Sequence, residues 1–233
     1  MLHLRKIENL LAMQEVSENR KRILDTLPAN VQLVAVSKTK TPEQIMELYD
    51  AGQRVMGESK AQELVPKYEK LPKDIKWHMV GHLQRNKVKY IAPFVEMIES
   101  VDSLRLLAAI NKEGKKNGRV IKCLFQMHIA EEETKYGMSI DEVIDILESS
   151  EFKEMKNISI NGLMAMATFT DDDEQVRKEF RALKTIFDKV KGEFFQTNDG
   201  FSEISMGMTN DYKIAVEEGS TMVRIGTALF GER

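Results

Sequence analysis

Eight short apolar runs alternate with amphipathic segments along this chain, and that rhythm limits its fold more than any other feature. The runs cover residues 31–38, 54–58, 76–82, 94–101, 121–129, 160–167, 203–208 and 222–231. Between them, residues 42–51, 60–71, 84–92, 103–117, 140–150, 173–191 and 210–218 space their apolar positions as helices do. Two of these segments carry explicit start signals: Thr41-Pro42-Glu43-Gln44 and Ser139-Ile140-Asp141-Glu142 both read as capping boxes. Gly52 and Gly219 fall where helices would end. Strands that alternate with helices must pair in parallel through crossover connections. Eight such units, with the N-terminal helix making up the eighth, predict an α/β fold, a single (β/α)8 TIM barrel, with an open doubly wound sheet as the alternative. Leu4, Ile7, Leu11, Ile23 and Leu27 predict an additional N-terminal helix over residues 1–28, packed on the barrel. No Pro/Gly/Ser-rich linker interrupts the pattern, so residues 1–233 are expected to form one domain.

Hydrophobic residues make up 42% of the 233-residue chain, enough for a sizeable core. The net charge of −3 provides no basic field to attract nucleic acid. Lys112, Lys115, Lys116 and Arg119 read as a solvated helix end. A single cysteine, Cys123, rules out an intrachain disulfide and sits in an apolar run as a small buried hydrophobe. The N-terminus lacks a signal-peptide core, and no window approaches the roughly 18 apolar residues of a membrane helix. A cytoplasmic protein, away from membranes, is expected.

In a (β/α)8 barrel, chemistry gathers at the C-terminal ends of the strands. The first run ends in Ser37-Lys38, the second in Gly57-Glu58-Ser59, the third in Gly81-His82. The seventh ends in Ser205-Met206-Gly207 and the eighth in Arg224-Ile225-Gly226-Thr227. Barrel closure sets the eighth strand beside the first, which gathers Lys38, Ser205, Arg224, Gly226 and Thr227. Small and hydroxyl residues after strands seven and eight suit a phosphate, because backbone amides and hydroxyls can approach it there. Lys38 is read as the last strand residue, partly desolvated, so that burial would favour a neutral nucleophilic amine. Lys40 is read as a solvated loop cation ahead of the Thr41 cap. A lysine amine facing a phosphate anchor is the requirement of pyridoxal 5′-phosphate, PLP, the active form of vitamin B6. Arg224 would donate to its ring nitrogen without protonating it.

His78 and His82, four apart on one run, are expected to share a face, but no third ligand or HExxH pattern supports a metal. His128 is read as a polar core group, the run Glu131-Glu132-Glu133 as a solvated loop, and Met164, Met166, Met206 and Met208 as core or pocket lining.

Several blocks together resemble the pyridoxal-phosphate homeostasis protein family. They are AVSK at 35–38, GESKAQE at 57–63, WHMVGHLQRNK at 77–87, GLMAMAT at 162–168, and SMGMTNDYKIAVEEGSTMVRIGTALFGER at 205–233. RIGTALFG more distantly resembles the cofactor block of alanine racemase N-terminal barrels. The resemblance implies a PLP-binding barrel in which Lys38 forms a Schiff base with the cofactor. It further implies that Arg224 meets the pyridine nitrogen while Ser205, Gly226 and Thr227 hold the phosphate. The family usually has asparagine where this chain has Ser59, a shorter polar group toward the cofactor. It also usually has Gln-Val-Asn where this chain has Gln126-Met127-His128.

Two functional classes follow. Racemases and related PLP enzymes need acid/base groups on both faces of the substrate. The tyrosines at 49, 68, 90, 136 and 212 fall in predicted helices or loops, and the chain ends two residues after Gly231, so no second domain is expected. The second class holds, buffers or delivers PLP, without catalytic residues or metal, as a monomer with PLP-dependent apo-enzymes as partners. The resemblance implies this class. A barrel enzyme acting on phosphorylated metabolites without PLP is a third reading.

Overall fold

In the computed structural model, which describes residues 15–130 and 136–231, all eight runs contain a strand. These are β1 (Gln32–Val36), β2 (Val55–Glu58), β3 (Lys76–Met79), β4 (Met97–Val101), β5 (Ile121–Gln126), β6 (Ile158–Met164), β7 (Glu203–Ser205) and β8 (Met222–Ile225). They pair in chain order, all parallel, and β8 returns to β1 with Leu33 opposite Val223, closing the barrel. The open-sheet alternative is therefore excluded.

The helices are α1 (residues 15–24), α2 (Pro42–Asp50), α3 (Ala61–Lys70), α4 (Val88–Ile91), α5 (Leu104–Lys116), α6 (Ile140–Glu148), α7 (Ser150–Glu154), α8 (Asp173–Phe194), α9 (Tyr212–Glu217) and α10 (Thr227–Phe230). Both capping boxes form, on Thr41 and Ser139. Gly52 and Gly219 take positive φ at the ends of α2 and α9. Helix α1 packs Val16 and Ile23 into the core, and Asn19 Nδ2 donates to the Leu229 carbonyl of the short α10 at 3.1 Å. It thus lies against the helix that follows β8, where one turn alone gives little cover. Leu4, Ile7 and Leu11 lie outside the described residues.

Side-chain alternation divides the core in two. Leu33 and Ala35 of β1 point outward and pack with the helices, as do Met56, Ile98, Cys123, Ile204 and Val223 on other strands. Val34, Val55, Met97, Leu124, Met164 and Met222 point inward with Val80 and fill the barrel axis. Cys123 is fully buried, and burial pushes its thiol well above the ordinary range, which suits an inert core residue.

The strands end earlier than the runs predict. Residues 37–38, 80–82, 165–167 and 206–208 lie past the strand ends, where the amides of Ser37, Val80, Ala165 and Met206 each make one last bond to the neighbouring strand. The run 222–231 divides into β8 and α10, because Thr-Ala-Leu-Phe suits either state in isolation. Since β3 stops at Met79, His82 lies beyond it and does not share a strand face with His78.

The β5–β6 ladder shifts register beside Gly162, whose φ is 155°. A Cβ there would stand 1.8 Å from the Glu203 carbonyl oxygen. Gly162→Ala is expected to cost at least about 3 kcal/mol, since a strained φ and a backbone clash act together, and thermal unfolding measures it.

Candidate functional site

At the C-terminal mouth of the barrel a cleft of about 410 Å³ opens between the ends of β1, β2 and β8 and the β7–α9 loop. Its wall includes Lys38, Ser59, Arg224, Gly226 and Thr227, so five of the six residues singled out from sequence meet in one place. The size falls within the usual range for small-molecule sites. Lys38, Lys40 and Arg224 oppose the single carboxylate of Asp211 among the described lining residues, which leaves an excess of positive charge.

Lys38 reaches the cleft for a reason of parity. It continues the inward set Val34 and Val36 of β1, two residues beyond the strand, and so stands over the barrel axis. Its side chain is exposed, so the burial expected from sequence is absent and the sheet itself does not hold it. Lys40 is half-buried rather than fully solvated: its Nζ lies 3.4 Å from the Phe230 carbonyl oxygen and 5.7 Å from the centroid of that ring.

Ser205, the sixth residue, does not line the cleft. It is the inward-facing last residue of β7 and is fully buried. Its hydroxyl donates to Glu99 Oε2 at 2.6 Å and accepts from Arg224 Nη1 at 2.7 Å. The chain turns through Gly207, at φ 95°, and brings Thr209 to the cleft. Thr209 Oγ1 accepts from the Ala228 amide at 3.4 Å, next to Gly226 and Thr227 at the start of α10. First-turn amides of a helix have no intrahelical partner and face outward with the hydroxyls. The block that begins at Ser205 contains this threonine, but only the positive φ at Gly207 explains why Thr209, and not Ser205, reaches the cleft.

Beneath the cleft the barrel holds a buried polar chain. His78 Nδ1 lies 2.6 Å from Glu99 Oε1, Glu99 bridges to Ser205, and Arg224 Nη2 donates to the Ala165 carbonyl at 2.9 Å. These residues share the inward faces of β3, β4, β7 and β8 with the apolar axis residues. Burial alone would raise the Glu99 carboxyl. The bond and charge of His78, the Arg224 charge and the Ser205 hydroxyl outweigh it and hold Glu99 below the usual carboxylate range. Burial lowers the Arg224 guanidinium, against the pull of Glu99 and Asp211. Two of the five guanidinium N–H donors face this chain, which leaves an edge for the cleft. Glu99 was not visible as a functional residue: a glutamate within an apolar strand signals a buried charge but not its partners.

Outside the barrel wall, under the Lys38 turn, Glu58 accepts from Ser37 Oγ at 2.6 Å and Lys67 Nζ at 2.7 Å. Burial raises the Glu58 carboxyl further than Lys67 and Ser37 lower it. His82 Nδ1 lies 3.0 Å from Asp102 Oδ2 and its ring stacks on Tyr136 with centroids 4.3 Å apart. His128 stands beside Tyr136 and Met166 at a neighbouring part of the mouth, and the run Glu131-Glu132-Glu133 lies outside the described residues. Among the described residues no group of three or more His, Cys, Asp or Glu is placed to hold a metal ion, and no helix is long and apolar enough to cross a membrane.

A primary amine, a fixed guanidinium and a hydroxyl-and-amide cradle around one cleft match the handles of a phosphorylated aldehyde with a ring nitrogen, the donor set that PLP requires. Comparison with known proteins gives the barrel its class. The model of the alanine racemase N-terminal domain matches residues 11–233. An alanine racemase from Clostridium difficile superposes with a TM-score of 0.71 at 15% identity, over 94% of this chain and 56% of that one, which speaks to the fold alone. Nearer relatives narrow the class. The pyridoxal phosphate homeostasis protein of Aquifex aeolicus is 40% identical over 87% of each chain. Its human counterpart is 35% identical over 95% of this chain and 86% of its own. PipY of Synechococcus elongatus, solved with PLP bound, superposes with a TM-score of 0.84 at 32% identity, over 93% of this chain and all of that one. The chain belongs to the pyridoxal phosphate homeostasis protein family.

Proposed function

We propose that this protein binds PLP through Lys38 and holds it for release to amine acceptors, PLP-dependent apo-enzymes among them, as part of maintaining the cytoplasmic supply of the cofactor. The observation that carries this reading is the meeting of Lys38, Arg224, Thr209, Gly226 and Thr227 around one cleft, in a family named for PLP homeostasis and with a relative solved with PLP bound. When bound, PLP supplies an aldehyde that condenses with a primary amine, with loss of one water, and a phosphate that anchors it. The rest falls to the chain's own residues. Thr209, Thr227 and the amides at the start of α10 hold the phosphate. Arg224 donates to the ring nitrogen and keeps its own proton, so the ring is left a weak electron sink. Ser59 stands on the cleft wall as a short polar group.

A holding role is favoured over racemisation by the acid/base inventory. None of the five tyrosines lines the cleft, and beside Lys38 the described lining offers only Lys40 and Asp211 as proton carriers. Lys40 is turned toward Phe230, while an Asp211 carboxylate oxygen accepts from the Met208 amide.

The test is direct. Purified protein loaded with PLP should be yellow, and borohydride reduction should fix the cofactor to a peptide containing Lys38. Loaded protein should reactivate a PLP-dependent apo-enzyme. Turnover of single amino acids well above that of free PLP would instead establish an enzyme. For the cradle, Thr209→Ala is expected to weaken binding of pyridoxine 5′-phosphate about tenfold, the scale of one hydrogen bond to a charged group, as read by calorimetric titration.

A further inference from the structure

The two peptide groups that flank Lys38 are each held by a charged side chain from the same helix. The Ser37 carbonyl accepts from Lys67 Nζ at 2.8 Å, and the Thr39 amide donates to Glu63 Oε2 at 2.8 Å. Glu63 and Lys67 are one turn apart on α3, with 3.7 Å between their charged atoms. Lys67 is fixed in turn by Glu58, whose Oε1 also accepts from Ser37 Oγ. The Lys40 amide closes the turn on the Ser37 carbonyl at 3.0 Å.

Two features mark this cluster as more than a structural filler. Thr39 has φ 66°, and it is the one non-glycine residue with positive φ among the described residues. A β-branched residue adopts that conformation only where its surroundings hold it there. The cluster also carries a desolvation penalty: Glu58 is fully buried, Lys67 is 7% exposed, and Glu58 Oε2 has no hydrogen-bond partner. Replacement of such a buried pair by apolar residues of similar volume is often neutral or stabilising, so the fold alone does not require it. None of the three charged residues lines the cleft. What they do touch is the backbone on either side of a lysine that lies beyond the last residue of β1.

We propose that Glu58, Glu63 and Lys67 are positioning residues that preset the backbone on both sides of Lys38, so that its amine enters the cleft from a fixed direction. The inference rests on the reading of Lys38 as the residue that carries PLP. Val36 is the last residue of β1 and the Ser37 amide makes the last bond to β2, on Gly57 at 2.9 Å, so without the clamp the lysine would start from a turn held on one side only and lose time in unproductive directions. Misplacement of a reacting group by an ångström is enough to slow its reaction severely.

The experiment compares the parent with Lys67→Met/Glu58→Leu, which removes both buried charges together, and with Glu63→Gln at the edge of the cluster. Pyridoxine 5′-phosphate, which has an alcohol where PLP has the aldehyde, reads the cradle without Lys38. PLP attachment followed by stopped-flow absorbance reads the lysine, and hydrogen exchange at Thr39 in cofactor-free protein reads the turn. The double variant is expected to bind pyridoxine 5′-phosphate as the parent does, to attach PLP at least about tenfold more slowly, and to exchange the Thr39 amide faster. Glu63→Gln should show the same effects in smaller degree, and Lys67→Arg should restore part of the rate. Unchanged attachment and exchange in the variants would overturn the inference, as would equal weakening of both ligands, which marks a merely structural role. Borohydride labelling of the parent at a lysine other than Lys38 would overturn the functional reading and this inference together. Labelling at Lys38 with variant kinetics equal to the parent overturns only the inference.

Discussion

Lys38→Ala is expected to eliminate the yellow absorbance of PLP-loaded protein and all borohydride-fixed cofactor. Affinity for PLP should fall on the order of a hundredfold, because an amine held over the cleft reacts as an intramolecular partner at high effective concentration. Pyridoxine 5′-phosphate should bind the variant as it binds the parent, since Thr209, Gly226, Thr227 and Arg224 are untouched. Thermal stability should stay within about 0.5 kcal/mol of the parent, because the Lys38 side chain is exposed. Lys40→Ala serves as the control. Its amine is engaged by the Phe230 carbonyl and ring, and its loss should leave covalent attachment at Lys38 intact. Persistence of the absorbance band in Lys38→Ala, with the label on Lys40, would reverse the two assignments.

The contrast between these lysines shows what a linear reading could reach. Alternation of apolar runs predicts the barrel because each βα unit carries its own local signals, from the Thr41 and Ser139 capping boxes to Gly52 and Gly219. Closure then follows from topology, which is why Lys38 and Arg224 could be placed together across the β1–β8 seam. What topology does not convey is where a strand lets go. Ser205 and Thr209 are both hydroxyl residues at the end of strand seven, and the choice between them depends on a strand that ends at Ser205 and a turn at Gly207. The same uncertainty made Lys38 a strand residue in prospect and a turn residue in fact. Glu58, Glu99 and Lys67 were legible only as charges in or beside apolar segments. Their partners lie on other elements, and pairing of that kind leaves no spacing rule along the chain.

Those buried charges also set the largest expected effect on stability. Glu99→Leu leaves the Arg224 guanidinium and His78 inside the barrel without their carboxylate, and loss of one partner from a buried pair costs about 3–5 kcal/mol. Glu99→Gln keeps an acceptor for Ser205 and should cost less, while a compensated variant, Glu99→Leu with Arg224→Met, should recover much of the loss and abolish selective recognition of the ring nitrogen. The pH dependence carries its own sign. Glu99 is held below its unfolded value, near about 4.3 for a free glutamate, so its contribution is present above that pH and drains away as pH falls through the lower folded value. Glu58 runs the other way: its carboxyl is raised, so what it adds is present below the unfolded value and is lost as pH rises through the folded one. Removing Glu99 should therefore flatten the acid limb of a melting-temperature profile below about pH 4.3, the range its own titration governs. If Glu99→Leu melted with the parent at neutral pH and kept the same acid limb, the Glu99 carboxylate would not be the charged centre of the network. The floor of the cofactor site would then rest on packing alone.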